Sequence, residues 1–357
     1  MSDSPVLALV RDDLRTLEGY QAAAPDFERL RLHANESPWD DTLTIEQSAI
    51  NRYPPVRALD LEARLAEVYG VRPEQLLVTR GSDDGIDLLV RTFCAAGQDA
   101  VLTTPPTFGM YAVAARLQNA RCVEVPLRAD QDWCMDETAI ADAVDAHPVR
   151  LIFLCSPNNP TGNSLDRDAV LRLCRAVGRK AAVVVDQAYG EFTGGAGFAA
   201  DLDAYPNLIV LRTLSKAHGL AGVRCGAVLA DPALIALLAA LAPPYATPSP
   251  VIGAVLDRLS EEALAQTAKR LQVIGEQRAR LRKVLEMLPY VRNVWPSDAN
   301  FLLVQVDDAA RVVADCHEHG VLLRSFRDKP GLGEAIRISI GTPAQTDRLI
   351  AILESIS

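Results

Sequence analysis

The feature that most constrains this chain is a rhythm running from about residue 70 to residue 230. Short apolar runs at 76–79, 101–104, 123–125, 151–155, 182–186, 208–211 and 227–230 alternate with longer stretches of helical spacing, such as 166–177. Several runs are nearly continuous Val, Leu and Ile, without the polar alternation of a half-exposed strand. Strands of that kind are covered on both faces, as in a mainly parallel sheet. Strands joined through helices in this way specify a doubly wound α/β sandwich.

The rhythm stops at the turn-rich segment Pro243-Pro244-Tyr245-Ala246-Thr247-Pro248-Ser249-Pro250. Beyond it the spacing predicts a long charged amphipathic helix over 261–288. A strand at 301–306, a helix at 309–319, strands at 321–323 and 336–340 and a helix at 343–355 follow. Thr342 and Pro343 supply the N-cap and first-turn proline of that last helix. The expected organisation is an N-terminal arm over 1–38, a large α/β lobe over 39–250 and a smaller α+β lobe over 251–357. The longest wholly apolar run, 233–242, is too short to span a bilayer and reads as a buried helix. Asp231 caps it, Pro232 opens it and Pro243-Pro244 ends it.

Charge and cysteine usage narrow the function. A net charge of −10 with no basic patch argues against a nucleic-acid binder. The first residues carry acids and no basic-then-apolar leader, so no membrane association is expected and the cytoplasm is the expected location. The seven cysteines are odd in number and show no C-x-x-C pair, which reads as reduced thiols. The five histidines show no ligand spacing, and no metal is expected.

In α/β sheets ligands gather beyond the carboxyl ends of the strands, so the residues just after each apolar run carry the chemistry. After 76–79 comes Arg80-Gly81-Ser82-Asp83-Asp84-Gly85, a glycine turn into a helix. Its free backbone N–H groups make a phosphate cradle, although a plain capped helix start looks the same. After 151–155 comes Ser156-Pro157-Asn158-Asn159-Pro160-Thr161-Gly162. The run 182–186 ends in Asp186-Gln187-Ala188-Tyr189, and 208–211 leads into Arg212-Thr213-Leu214-Ser215-Lys216 with Arg224 eight residues on. Three strand ends in succession thus offer an amide, a carboxylate with a phenol, and a lysine with an arginine.

This set resembles the fold type I pyridoxal-phosphate aminotransferases of class II and, within them, the histidinol-phosphate aminotransferase branch. The likeness extends to Leu32-His33-Ala34-Asn35-Glu36-Ser37-Pro38, Asn51-Arg52-Tyr53-Pro54 and Ile336-Arg337-Ile338-Ser339-Ile340-Gly341-Thr342. It implies pyridoxal 5′-phosphate as cofactor, carried by Lys216 as a Schiff base, with the lysine amine then moving the proton at the substrate's Cα. Asp186 would pair with the ring nitrogen, Asn159 and Tyr189 would bond the ring hydroxyl, and Phe108 would stack on the ring. Gly81, Ser82, Asp83, Thr213, Ser215 and Arg224 would form the phosphate cup. Tyr53 would reach the cofactor of a second copy, implying a homodimer with shared sites. Arg324 and Arg337 would bind an anionic substrate, and Tyr20 and Asn35 would close over it.

The resemblance implies amino transfer between L-histidinol phosphate and 2-oxoglutarate, the latter becoming L-glutamate. Rival readings are an aromatic amino acid aminotransferase and a lyase like threonine-phosphate decarboxylase. A cofactor-sensing regulator would need a DNA-binding segment, and no helix-turn-helix pattern is visible. Two residues depart from the family pattern. His218 stands where phenylalanine is common, and Gln187 where glutamate is common. His218 reads as a polar core variant, Gln187 leaves the aspartate and tyrosine with roles in place, and Arg212 and Arg327 read as solvated or structural.

Overall fold

The structure is a computed structural model that describes residues 28–39, 51–195, 197–327 and 329–356. The arm enters as a short strand, β1 (Leu30–Arg31). The large sheet follows with β2 (Leu76–Thr79), β3 (Ala100–Thr103), β4 (Arg121–Glu124), β5 (Val149–Cys155), β6 (Ala182–Asp186), β7 (Leu208–Thr213) and β8 (Gly226–Leu229). Their order is β2-β8-β7-β6-β5-β3-β4, and β8 alone runs antiparallel to its neighbours.

Side-chain alternation along the central strands builds two cores. Val183 and Val185 of β6 face one cluster with Leu61, Leu65, Ile140 and Val170 from three helices. Ala182 and Val184 face the other, with Ile86, Leu89, Tyr111, Ile235 and Leu238 from three more. A strand buried on both sides has no room for polar alternation, which is why 151–155 of β5 and 182–185 of β6 are continuous apolar runs. Each such Val, Leu or Ile contributes about 1.5–3 kcal/mol of burial. The covering helices carry local stop signals. Arg167–Val177 has Asp166 as N-cap, accepting from the Ala169 N–H at 2.7 Å, and Gly178 at φ 51° as C-cap.

A second sheet, of order β12-β13-β10-β9, is wholly antiparallel: β9 (Val291–Val294), β10 (Phe301–Val306), β12 (Arg324–Ser325) and β13 (Ala335–Ser339). Between them β11 (Val321–Leu322) pairs in parallel with β1 of the arm, and Leu32 of the arm is buried in this region's core. The helix Glu261–Leu285 covers the sheet through Ile274, Gln277, Leu281 and Leu285, a single stripe at helical spacing. The helix Pro343–Ser355 begins with a full capping box between Thr342 and Gln345.

Two expectations fail here. The apolar helix, Pro232–Leu241, is not buried: it packs through Ile235 and Leu238, while Leu237 and Leu241 are each 50% exposed. One stripe suffices for packing, so being apolar all round does not place a helix in the interior. The proline-rich segment also does not end as a turn, because Ser249–Arg258 is a helix with Pro248 as N-cap and Pro250 in its first turn. Proline at that position lacks only an N–H that would go unpaired anyway. At the sheet's edge, β4 is largely exposed.

Candidate active site

Register brings the chemistry together. Cys155 pairs with Asp186, and Asp186 with Leu211, so β5 and β6 end at one level and β7 runs two residues further. The residues that follow them open into a cavity of about 310 Å³. Asp186, Asn159, Tyr189, Phe108, Ser82, Asp83, Thr213, Ser215, Lys216 and Arg224 line it. Asn35, Arg324 and Arg337 close its other side. Tyr53 is not brought there. It lies 83% exposed, stacked on Tyr245 with ring centroids 4.7 Å apart. Tyr20 lies outside the described residues.

Lys216 sits partly buried, its Nζ donating to the Ala34 carbonyl at 3.1 Å and lying 5.9 Å from the centre of the Tyr189 ring. Burial, then the positive charge of Arg337, pulls its amine down to about 8. Asp186 is pushed up to about 6 by burial, against two donors: the Tyr111 hydroxyl at 2.8 Å on Oδ2 and the Ala188 N–H at 3.0 Å on Oδ1. A desolvated amine and a desolvated carboxylate thus face one cavity from successive strand ends.

Near the N-terminus of the helix Ser82–Phe93, Arg224 donates to the Ala221 carbonyl at 3.0 Å and to Ser215 Oγ at 3.4 Å. Its other terminal nitrogen lies 3.6 Å from Asp83 Oδ2. The Thr213 hydroxyl donates to Ser215 Oγ at 2.9 Å. Gly81, at φ 87°, is favoured here. A Cβ would lie 2.8 Å from Arg224 Nη2, in a backbone conformation that side chains disfavour. The geometry leaves helix N–H groups, two hydroxyls and one guanidinium around a single small volume, which suits an anion.

The opposite wall is cross-tied. Tyr189 accepts from Asn35 Nδ2 at 3.0 Å, and its ring meets Phe301 edge-on. Burial drives its hydroxyl well above the ordinary phenol range. Ser339 of β13 grips Asn35 twice, accepting from its backbone N–H at 2.9 Å and donating to its Oδ1 at 2.8 Å. Arg337 donates to Asn159 Oδ1 and, at 2.8 Å, to the His33 carbonyl, between the Phe301 and Phe326 rings. Arg324 is the register partner of Arg337, so the two guanidinium groups rise from the same face of adjacent strands into the cavity.

Asn158 is turned away from this chemistry. It accepts from Thr107 and donates to the Pro106 carbonyl, locking the turn that presents Asn159. Arg212 is structural: it ion-pairs with Glu191 at 2.8 Å and lies over the Tyr69 ring. His218 is buried beside the same glutamate, with burial lowering its pKa. Gln187 holds the Phe198 N–H at 3.0 Å. Sequence reasoning missed Tyr111. The available signal was its place at the start of a helix, three residues after Phe108. No group of three potential metal ligands occurs among the described residues.

A flat cationic ring with an anionic tail fits these residues. The desolvated Asp186 carboxylate suits a ring N–H, the Gly81 cradle suits a phosphate, and the buried Lys216 amine lies between the two ends. Comparison with known proteins agrees. A family model described as aminotransferase class I and II matches residues 20–353. The chain belongs to this family of pyridoxal-phosphate enzymes, and its fold is their fold type I. It is 46% identical to histidinol-phosphate aminotransferase of Xanthomonas campestris pv. campestris strain 8004, over 99% of this chain and 98% of the relative. The corresponding protein of Xylella fastidiosa strain 9a5c is 45% identical over 98% and 97%. The solved histidinol-phosphate aminotransferase from Sinorhizobium meliloti, in complex with pyridoxal-5′-phosphate, superposes with a TM-score of 0.82 at 25% identity, covering 92% of each chain. L-threonine-O-3-phosphate decarboxylase from Porphyromonas gingivalis superposes at 0.78 and 25%, over 91% of this chain and 98% of that one.

Proposed function

We propose that this enzyme transfers an amino group between L-histidinol phosphate and 2-oxoglutarate, with L-glutamate as the amino acid of the second half-reaction. The observation that carries the substrate reading is the opposed pair Arg324 and Arg337 facing Lys216 across the cavity. Two planar guanidinium groups side by side suit a phosphate dianion better than an apolar aromatic side chain does. The names of the relatives at 44–46% identity support the same substrate.

Pyridoxal phosphate, when bound, supplies an electron-accepting ring that stabilises negative charge at the substrate's Cα. The chain's residues do the rest. Asp186 holds the ring nitrogen protonated. Lys216 attaches the cofactor and then takes and returns the Cα proton at Nζ; an amine depressed to about 8 is suited to both tasks near neutral pH. Asn159 and Tyr189 orient the ring hydroxyl, and Phe108 covers a ring face. Gly81, Ser82, Asp83, Thr213, Ser215 and Arg224 hold the phosphate. Asn35 closes the site over the substrate.

The proposal extends to a homodimer. Tyr53, Val56 and Leu59 are exposed, as are Leu237, Leu241 and Tyr245. Tyr53 stacks on Tyr245, and Val56 shares a groove with Pro243, so these segments form one apolar surface. A second copy would cover it, with Tyr53 reaching the partner's phosphate site. The arm (1–38), large lobe (39–250) and small lobe (251–357) would be the chain's units, the arm packing with the small lobe. The seven free cysteines suit the cytoplasm, and no described helix is long and apolar enough to cross a membrane.

Purified protein given pyridoxal phosphate is expected to gain visible absorption, and histidinol phosphate is expected to bleach it while yielding the ketone. A protein that stays colourless, or one that releases carbon dioxide from threonine phosphate instead, would contradict the proposal.

A further inference from the structure

Tyr111 is absent from every role assigned so far, yet it is the largest fully buried side chain at the site. It is the second residue of the helix Met110–Leu117 and has no exposed surface. Its ring lies flat against Phe153 of β5, centroids 4.7 Å apart and planes 7° apart, and meets Phe108 edge-on at 5.6 Å. A phenol packed so tightly between sheet and cavity needs a partner for its hydroxyl. That partner is Asp186 Oδ2, at 2.8 Å.

From this geometry we infer that Tyr111 is a positioning residue, which fixes the Asp186 carboxylate in the orientation that receives the cofactor's ring nitrogen. The inference rests on the reading of the cavity as a pyridoxal-phosphate site. Asp186 is held at both oxygens, by the Ala188 N–H on one and the Tyr111 hydroxyl on the other. Two donors from different elements stop the carboxylate from rotating. An ionised carboxylate has about four acceptor directions, so it can still receive a ring N–H. Tyr111 can only donate in this pair, because burial and the adjacent Asp186 charge keep its hydroxyl protonated far above the ordinary range. The other titratable groups facing Asp186 are Lys216, Asp83, Cys155 and Tyr189. Among them Lys216 is the cation, and its pull on Asp186 is weaker than that of either hydrogen bond. Tyr111 is the side chain that most favours the ionised form of Asp186.

The test is Tyr111→Phe, which keeps the stack on Phe153 and removes only the hydroxyl. Cofactor-free protein is titrated with pyridoxal phosphate at several pH values, and the Asp186 carboxyl is followed by carbon NMR in the cofactor-free state. Expected is a cofactor Kd raised about tenfold near neutral pH, with a larger loss at pH 6 than at pH 8. The carboxyl should also titrate at higher pH than in the parent. In an Asp186→Asn background, Tyr111→Phe should add less than about twofold, since its action passes through that carboxylate. An unchanged Kd and carboxyl titration would overturn the inference, as would an equal loss in both backgrounds, which marks a packing effect. If the parent protein itself binds no pyridoxal phosphate, the reading of the cavity fails rather than the role of Tyr111.

Discussion

The two walls of the cavity are built on different principles. The wall formed by the ends of β5, β6 and β7 places its residues by strand register, and it keeps charges where they are costly. Asp186 is fully buried and Lys216 partly so, and loss of water is the largest influence on each. The wall formed by the arm and the small sheet is built from ties between distant segments. Asn35 bonds Tyr189 and Ser339, while Arg337 reaches Asn159 and His33. The first wall stores chemical potential in unfavourable charges. The second stores position, and it holds only while three segments stay together. Chemistry and substrate choice should therefore separate on mutation.

The largest effect should come from the first wall. Lys216→Ala is expected to lower turnover by at least about 10⁴-fold, measured by single-turnover absorbance, because both attachment and proton transfer lose their amine. A residual rate within tenfold of the parent would place the chemistry elsewhere.

The same lysine should be a liability to the empty fold. Its folded pKa of about 8 lies below the 10.5 of an ordinary lysine. Between those values the unfolded chain holds a proton that the folded chain lacks, so stability rises with pH across that window. Below about 8 the whole penalty applies, on the order of 3 kcal/mol. Lys216→Met should therefore stabilise the cofactor-free protein at pH 7, with the gain fading towards pH 10.5. Denaturant melts at both pH values measure this, and a destabilised variant would contradict it.

On the second wall, Ser339→Ala removes the partner of the buried Asn35 Oδ1 and of its backbone N–H. About 1–3 kcal/mol of stability should be lost, read in the same melts. Turnover at saturating substrate should fall less than KM rises, since Asn35 positions rather than reacts. A loss confined to turnover would erase the distinction between the walls. The smallest effect should be at Gly81. Gly81→Ala meets Arg224 Nη2 at 2.8 Å and is expected to weaken cofactor binding about tenfold or less, because that guanidinium is flexible and half exposed.

Legibility in sequence followed the same division. The central strands could be read because burial on both faces leaves an uninterrupted apolar run, and the first wall's residues stand immediately after those runs. The second wall depends on contacts across up to 304 positions, such as Asn35 with Ser339, and no local pattern encodes them. Only family resemblance pointed to Arg324, and its register with Arg337 needed coordinates. Tyr111 escaped because an aromatic residue on an apolar helix reads as core, which it also is. Two prolines hid the helix Ser249–Arg258, although proline is at home in a first turn. The helix Pro232–Leu241 misled because its composition says nothing of how many of its faces are covered.

The division of labour between the walls meets its most direct test in one measurement. Holoenzyme and its Arg324→Ala variant are each mixed with histidinol phosphate and, separately, with phenylalanine, and the first half-reaction is followed by absorbance. Expected is a loss of about 100-fold in kcat/KM for the phosphorylated substrate and less than about threefold for phenylalanine, as befits removal of one charge-assisted fork. Equal losses for both substrates, or a parent enzyme that prefers phenylalanine, would contradict the assignment of this wall to a phosphate.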